Sequence, residues 1–482
     1  MAKSTPQGKK HLHKFSNAPL TEREGAFSMG VWPGAGEAVR YLGYTCSMDT
    51  SIVQQPSGPI QVKETYTVFD DEHPTVIVIH ASAGSGHRSA ARSVEVALRK
   101  LREEDPTVPD DLRIEFLDIF ELGRIPWDGD KVVSGFIGPT RPIYDLSWRF
   151  TLTGRILWGG GTAWTRIMFP SFTEHVQQVK PLAVIATHMT ACNVAVGSRM
   201  ISGLDYRIIA VDTDYETEGM WPHMGTDLFC VATEAMAETL RARKVEEERI
   251  RITGIPTREG YAKDFDKREE RAKWGFSEDE SVVLCLAGAR LQKPYERFRA
   301  SLEETLPYLH RFNDMRMVVV TGTNEEYATH LRREKEQRGL ENLTVLGYVD
   351  DMASLMAAAD IVVSKSGGLV VTECLNARVP MVLLGKAYGQ EKINVRMLTS
   401  AGAAMHVTTS RELLKMLRHL IDSPQSLEAM LVNANYLRKP HAARDIAKAA
   451  LELSSKPFDK NQKRLRKHFL RFYLGHKPAH TR

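Results

Sequence analysis

Ser366, Gly367 and Gly368 stand where an apolar run turns into a helix, within Ser364-Lys365-Ser366-Gly367-Gly368-Leu369-Val370-Val371-Thr372-Glu373. Two adjacent glycines let backbone N–H groups approach a phosphate closely, and a helix N-terminus favours its negative charge. In the second turn of that helix, Glu373 is placed to accept hydrogen bonds from two neighbouring ribose hydroxyls. The next apolar run leads into Gly389-Gln390-Glu391, with Asn394 just beyond. Gln390 offers both a donor and an acceptor, which suits sugar hydroxyls. An ordinary strand-turn-helix with a solvated Glu373 accounts for the glycine pair alone. It does not account for the whole set at this spacing, which reads as a nucleotide-sugar site.

A second set lies early in the chain, at Gly84-Ser85-Gly86-His87. A Gly-x-Gly turn after a strand is common in α/β proteins. The histidine at the start of the following helix adds to it, because the helix dipole disfavours imidazolium there. A neutral imidazole is fitted to take the proton of an acceptor hydroxyl as it attacks an anomeric carbon. Two other readings stay open: a packing histidine, or one that binds an acceptor headgroup or the diphosphate without proton transfer. His188, after another apolar strand, points at the same place. Asp212-Thr213-Asp214 has the form of a metal-binding D-x-D. Asp128-Gly129-Asp130 and Asp264-Phe265-Asp266 have the same form, so the motif carries little information and no metal is assigned. Asp212 and Asp214 are expected on the acceptor side.

These residues need two scaffolds. The pattern predicts strands at 75–80, 112–117, 181–187, 206–211, 228–232 and 250–252, alternating with helices such as 88–101 and 234–244. Gly254-Ile255-Pro256 interrupts it. A second series follows at 281–286, 316–321, 343–346, 361–363, 380–384 and 404–407. Strands alternating with helices imply parallel sheets covered on both faces. The expected fold is α/β, with two doubly wound Rossmann-like domains facing across a cleft at the carboxyl ends of their strands. The expected divisions are an extension over 1–72, an acceptor domain over 73–255, a donor domain over 256–455 and a basic tail over 456–482.

Composition agrees with a soluble globular chain. Of 482 residues, 43% are hydrophobic and 26% charged, and the net charge is +4. So small a charge argues against a nucleic-acid-binding field over the whole protein. Cys46, Cys192, Cys230, Cys285 and Cys374 are scattered with no C-x-x-C pair, which predicts reduced, buried thiols. No run is long and apolar enough to span a bilayer, and the basic, polar N-terminus lacks a signal-peptide core, so a cytoplasmic protein is expected.

In combination the motifs resemble the GT-B glycosyltransferases, in the group of monogalactosyldiacylglycerol synthases, processive diacylglycerol glucosyltransferases and the peptidoglycan GlcNAc transferase. Gly86-His87 closes the first loop. Gly254-Ile255-Pro256-Thr257-Arg258 is similar to the interdomain G-I-P-x-R of that family. Gly347-Tyr348-Val349-Asp350-Asp351-Met352 resembles its loop beside uracil. The resemblance covers roughly residues 75–441. It implies that the Val349 backbone bonds uracil and Glu373 the ribose. Gly367 and Gly368 would hold the diphosphate, which Arg258 would face, and Gln390 and Glu391 the hexose. It implies no cofactor and no obligatory metal ion, the UDP-sugar being a substrate. Two departures stand out. Relatives carry a Gly-rich run where this chain has Ala287-Gly288-Ala289-Arg290-Leu291-Gln292-Lys293, so Gly288 alone turns the chain, with Arg290 or Lys293 as a source of charge. Ser82 stands where plant galactosyl relatives carry an acid.

Residues 135–172 are rich in Gly, aromatics and Arg, including Tyr144, Trp148, Trp158, Trp164 and Phe169. Aromatics beside arginines suit a lipid–water interface, and Trp148 and Trp158 are assigned to the acceptor. A core helix pair joined by Gly159-Gly160-Gly161 explains the segment equally well. The basic, aromatic tail over 456–482 suits an anionic membrane surface. The expected function is therefore inverting transfer of a hexose from a UDP-hexose to a membrane lipid, diacylglycerol first, at the inner face of a membrane. No nucleic-acid partner is expected. Two rivals remain: a UDP-GlcNAc 2-epimerase, which needs no acceptor, and a GT-B binding protein without turnover.

Overall fold

The computed structural model describes residues 73–82, 85–124, 161–216, 221–222, 225–288, 292–388 and 391–458. All of them belong to one compact unit, Thr67–Arg482. Gly84, Trp148, Trp158, Gln390 and the tail beyond Phe458 lie outside the described residues.

The first sheet is six parallel strands, β1 (Thr75–His80), β2 (Arg113–Asp118), β3 (Ala183–Ala186), β4 (Arg207–Val211), β5 (Leu228–Val231) and β6 (Ile250–Ile252), in the order β2-β1-β3-β4-β5-β6. Its helices are α1 (Ser85–Glu104), α2 (Gly161–Met168), α3 (Pro170–Val179), α4 (Met189–Ser202) and α5 (Glu234–Ala242). Every residue of β1, β3, β4 and β5 is buried, as expected where helices cover both faces of a parallel sheet.

The second sheet holds β7 (Ser281–Leu286), β8 (Met315–Val320), β9 (Leu343–Leu346), β10 (Ile361–Ser364), β11 (Met381–Leu384) and β12 (Ala404–Val407), in the order β12-β11-β10-β7-β8-β9. Its helices are α6 (Lys267–Trp274), α7 (Gln292–Glu303), α8 (Glu325–Arg338), α9 (Met352–Ala358), α10 (Gly368–Asn376), α11 (Glu391–Ser400), α12 (Ser410–Asp422) and α13 (Pro424–Leu437). Side chains set their ends. Asn324 accepts from Tyr327 N at 3.0 Å to start α8, and Gly339, at φ 61°, ends it.

Each sheet reverses its strand order once, between β1 and β3 in the first and between β7 and β10 in the second. A crevice opens outside the carboxyl ends of the strands at such a point, and ligands bind there. Both candidate sets fall on these ends. His87 follows β1 and His188 follows β3; Gly288 follows β7 and Gly367–Gly368 follow β10.

The expected donor domain, 256–455, needs one correction. The last helix, α14 (Ala442–Ser455), packs on the first sheet instead of the second. Its Ile446, Ala447 and Ala450 join Val94, Leu98 and Leu101 of α1 in one buried cluster, and Arg444 pairs with Glu104 at 2.7 Å. The apolar face of α14 needs cover, and the face of the first sheet beside α1 supplies it. Beyond α14, Arg207 holds the chain: its Nη2 donates to Lys456 O at 2.6 Å and Pro457 O at 2.8 Å, and its guanidinium lies 3.9 Å over the Phe458 ring.

The chain therefore crosses between domains twice, and Asn376 ties both crossings together. Its Nδ2 donates to Thr257 Oγ1 at 3.0 Å, and its Oδ1 accepts from Lys439 N at 3.1 Å. Gly254 sits between them at φ 90°, where a Cβ would collide with Lys439 Cβ.

The described end of the aromatic segment favours the core-helix reading of its aromatics. Phe169 and Phe172 are fully buried, and Trp164 packs edge-on to Phe169 at 6.3 Å. A Cβ on Gly197 of α4 would collide with Thr165 of α2. Close helix packing and core burial thus account for Thr165, Phe169 and Phe172, while Ile167 stays 58% exposed. The four described cysteines, Cys192, Cys230, Cys285 and Cys374, are buried free thiols.

Candidate active site

His87 is the third residue of α1, held from both sides of its Nδ1. Thr187 O lies 3.0 Å from that nitrogen and Thr213 Oγ1 lies 2.8 Å from it. A carbonyl oxygen only accepts, so Nδ1 carries the proton and the neutral ring keeps its lone pair on Nε2. Thr187 closes a reciprocal pair, its hydroxyl donating to His87 O at 2.9 Å. Burial lowers the imidazole pKa, with partial recovery from the Thr187 carbonyl. The ring is thus held in one orientation, with burial favouring its neutral form.

His188 stands edge-on to it, ring centres 4.6 Å apart. It caps α4, its Nδ1 accepting from Thr190 N at 3.1 Å. Burial, and then the neighbouring His87 and His80, hold it well below the ordinary histidine range. Only its Nε2–H is left for a ligand. His80, at the end of β1, completes the group. It lies 3.8 Å from Asp118 Oδ2, and burial pushes its pKa down to about 4. Its Nδ1 has no hydrogen-bond partner. The sequence reading passed over it because a strand-end histidine reads as core.

On the donor side Gly367 caps α10 in an extended conformation with no side-chain cap bond. The first N–H groups of α10 have no partner within the helix itself. In this structure Asp214 takes the N–H of Gly368. The approach is close: a Cβ on Gly368 would collide with Thr213 O and stand 2.7 Å from Asp214 Oδ1. Asp214, expected on the acceptor side, thus sits against Gly368 at the start of α10. Burial pushes its pKa up to about 7, against the hydrogen bond from Asn394. Asp212 is buried at the end of β4.

Asn394 is corrected from a donor contact to an internal tie. It is fully buried; its Nδ2 donates to Asp214 Oδ1 at 3.0 Å and to Ser366 O at 2.9 Å, and its Oδ1 accepts from Tyr215 N at 3.0 Å. Ser366, also buried, enters this network through its carbonyl. Glu391 pairs with Lys365 at 3.0 Å, a cation the sequence reading left unassigned.

Glu373 faces Arg258 from α10. Burial pushes its carboxyl up to about 7, and the Arg258 charge offsets part of that. Arg258 reaches across to the loop of Val349, donating from Nη1 to Asp350 O at 3.3 Å. Val349 is partly buried against the core. Gly288 is backed onto Gly322, where a Cβ would stand 2.7 Å from Gly322 N. The single glycine of the altered loop is thus required by close backbone packing. No described helix is long and apolar enough to cross a membrane.

Two facing Rossmann-like domains with these loops at their switch points define a GT-B protein. Two solved structures share the fold. MurG of Acinetobacter baumannii has TM-score 0.50 and 15% identity, over 79% of this chain and 99% of that one. The S. aureus MnaA-UDP co-structure has TM-score 0.51 and 14% identity, over 80% and 99%. Residues 87–257 match the monogalactosyldiacylglycerol (MGDG) synthase family, and residues 287–450 match the glycosyltransferase family 28 C-terminal domain. The two matches follow one another in that order, and the chain is similar to the MGDG synthases in its first half and to the family 28 glycosyltransferases in its second. It is 28% identical to the processive diacylglycerol beta-glucosyltransferase of Bacillus pumilus over 51% of its own length. That alignment spans 62% of the relative, less than two thirds. The Bacillus cytotoxicus enzyme of the same description is 24% identical over 79% of this chain and 94% of that one.

Proposed function

We propose that the protein transfers a hexose from a UDP-hexose to diacylglycerol with inversion, giving a β-glycosyl lipid. The Val349 backbone reads uracil and Glu373 holds the ribose. The N-terminus of α10 and Arg258 take the diphosphate, with Gln390 and Glu391 on the hexose. His87 Nε2 accepts the proton of the lipid hydroxyl as its oxygen bonds to the anomeric carbon. The bond from that carbon to the diphosphate breaks, and UDP leaves with the electron pair.

The observation that supports this reading most is the meeting of the two sets. Thr213 touches the His87 imidazole with its side chain and the Gly368 cradle with its carbonyl. The base and the phosphate cradle are thus one residue apart across the cleft. A closed cleft also excludes water from the donor. The lipid acceptor is taken from the relatives' activity, and docking on an anionic membrane surface follows from its residence in a bilayer.

The test is UDP release from UDP-glucose and UDP-galactose, with and without diacylglycerol vesicles, in wild type and His87→Ala. The expected result is release that needs the vesicles and falls by about 100-fold or more in the variant. Conversion of UDP-GlcNAc without acceptor would indicate the epimerase instead.

A further inference from the structure

Residues 213–215 leave β4 at the seam between the domains, and each engages something different. Thr213 Oγ1 lies 2.8 Å from His87 Nδ1. Asp214 is held by Asn394 Nδ2 at 3.0 Å. Tyr215 is held twice, by Asn394 Oδ1 on its N–H at 3.0 Å and by Thr372 Oγ1 on its hydroxyl at 2.9 Å. Thr372 and Asn394 belong to α10 and α11 of the donor domain. The residue that touches the imidazole is therefore itself clamped by the opposite domain.

The Thr187 carbonyl favours a proton on His87 Nδ1, but a single acceptor leaves the ring free to pivot away from it and exchange tautomers. The Thr213 hydroxyl is a second point on the same nitrogen. Two points hold the ring plane, and with it the direction of the Nε2 lone pair. Both oxygens also stabilise the Nδ1–H of the imidazolium formed when Nε2 takes a proton. In a low-dielectric site such oriented oxygens act without reorganising.

We propose that Thr213 is a positioning residue for His87, and that it sets the reactive nitrogen only while the donor domain is seated against residues 213–215. This rests on the reading of His87 as the base for the acceptor hydroxyl. Arrival of the donor domain and readiness of the base are then one event. An open cleft, where water has free access, would leave the base loosely held.

The test uses the full chain with Thr213→Val, which keeps the shape and removes the hydroxyl, and Thr213→Ser, which keeps the hydroxyl. Nitrogen-15 NMR of labelled histidines, with His87 assigned through His87→Gln, reads the ring directly. Wild type and Thr213→Ser should show a single Nδ1–H tautomer. Thr213→Val should show averaged or mixed tautomers. In turnover, Thr213→Val should lose about 10-fold in kcat with donor KM little changed, and Thr213→Ser should recover most of it. Gly368→Ala, in the other domain, should disturb the His87 tautomer as well, because its Cβ would displace Thr213 O. Should Thr213→Val fold poorly, Thr213→Ala provides the same comparison. An unchanged single tautomer and unchanged kcat in the hydroxyl-free variant would overturn the proposal. So would Thr213→Ser as impaired as Thr213→Val, which would make the residue a packing one. The tautomer readout needs no turnover, so it stands even if His87→Ala leaves transfer intact and the base is another group.

Discussion

Asn394 Nδ2 lies 3.0 Å from Asp214 Oδ1, across the seam between the two sheets. The same amide bonds Ser366 O within its own domain and accepts from the Tyr215 N–H across the seam, so a fully buried side chain ties the domains at two points. Asn394→Ala should cost about 1–3 kcal/mol through the buried groups it orphans. The urea midpoint should fall clearly, while UDP affinity of the folded protein should change less than in Glu373→Ala. A variant of unchanged stability with strongly weakened UDP binding would return Asn394 to the donor contacts.

The buried carboxyls predict a pH dependence. Burial lifts Asp214 and Glu373 to about 7. Their unfolded values lie near 4, so between roughly pH 4 and 7 the folded state keeps protons that the unfolded state has released. Stability therefore falls as pH rises through that window, and the loss is complete above the folded pKa. Asp214→Asn cannot ionise. It should melt close to wild type at pH 5 and above it at pH 8, the gap opening as pH rises through this window. A gain confined to pH 5 would reverse the sign and refute the burial argument.

Glu373→Ala removes a carboxylate from the ribose position. The expected loss of UDP affinity is about 1.5–3 kcal/mol, on the order of 10- to 100-fold. Calorimetry with UDP measures it directly. Unchanged affinity in a folded variant would remove Glu373 from the donor site.

Gly254 stands at the first crossing between the domains. Gly254→Ala would hold a non-glycine residue at φ 90° and drive its Cβ into Lys439 of the second crossing. The left-handed backbone alone costs roughly 1–2 kcal/mol. Differential scanning calorimetry should show a lowered Tm, with the pair of crossings tied by Asn376 yielding first. A variant as stable as wild type would mean that the crossings are free to part.

The architecture was readable from period and punctuation. The runs at 75–80, 250–252, 281–286, 343–346 and 404–407 matched β1, β6, β7, β9 and β12 to the residue, and the other strands lay within one or two residues of their expected ends. Both candidate sets landed at switch points because a Gly-rich turn after a buried parallel strand has nowhere else to go. Four features were not readable. The amphipathic face of α14 says that it needs cover, but not which sheet provides it. Asn394 shows the same letter whether it binds sugar or ties loops. Thr213 lay inside an Asp-Thr-Asp motif set aside for lack of information, and its use appears only when β4 brings it to His87. Trp164 looked equally suited to lipid and to core, and the close approach of α2 to α4 at Gly197 decided for core.

The most direct measurement of the central claim is the product itself. Purified protein, diacylglycerol vesicles and each UDP-hexose in turn are incubated, and the lipid fraction is analysed by mass spectrometry and proton NMR. The account predicts a hexosyl-diacylglycerol whose anomeric proton has the β coupling, absent in His87→Ala. An α-linked product would contradict the inverting mechanism. No glycolipid from any UDP-hexose, with UDP-GlcNAc epimerised in the absence of lipid, would contradict the transferase reading altogether.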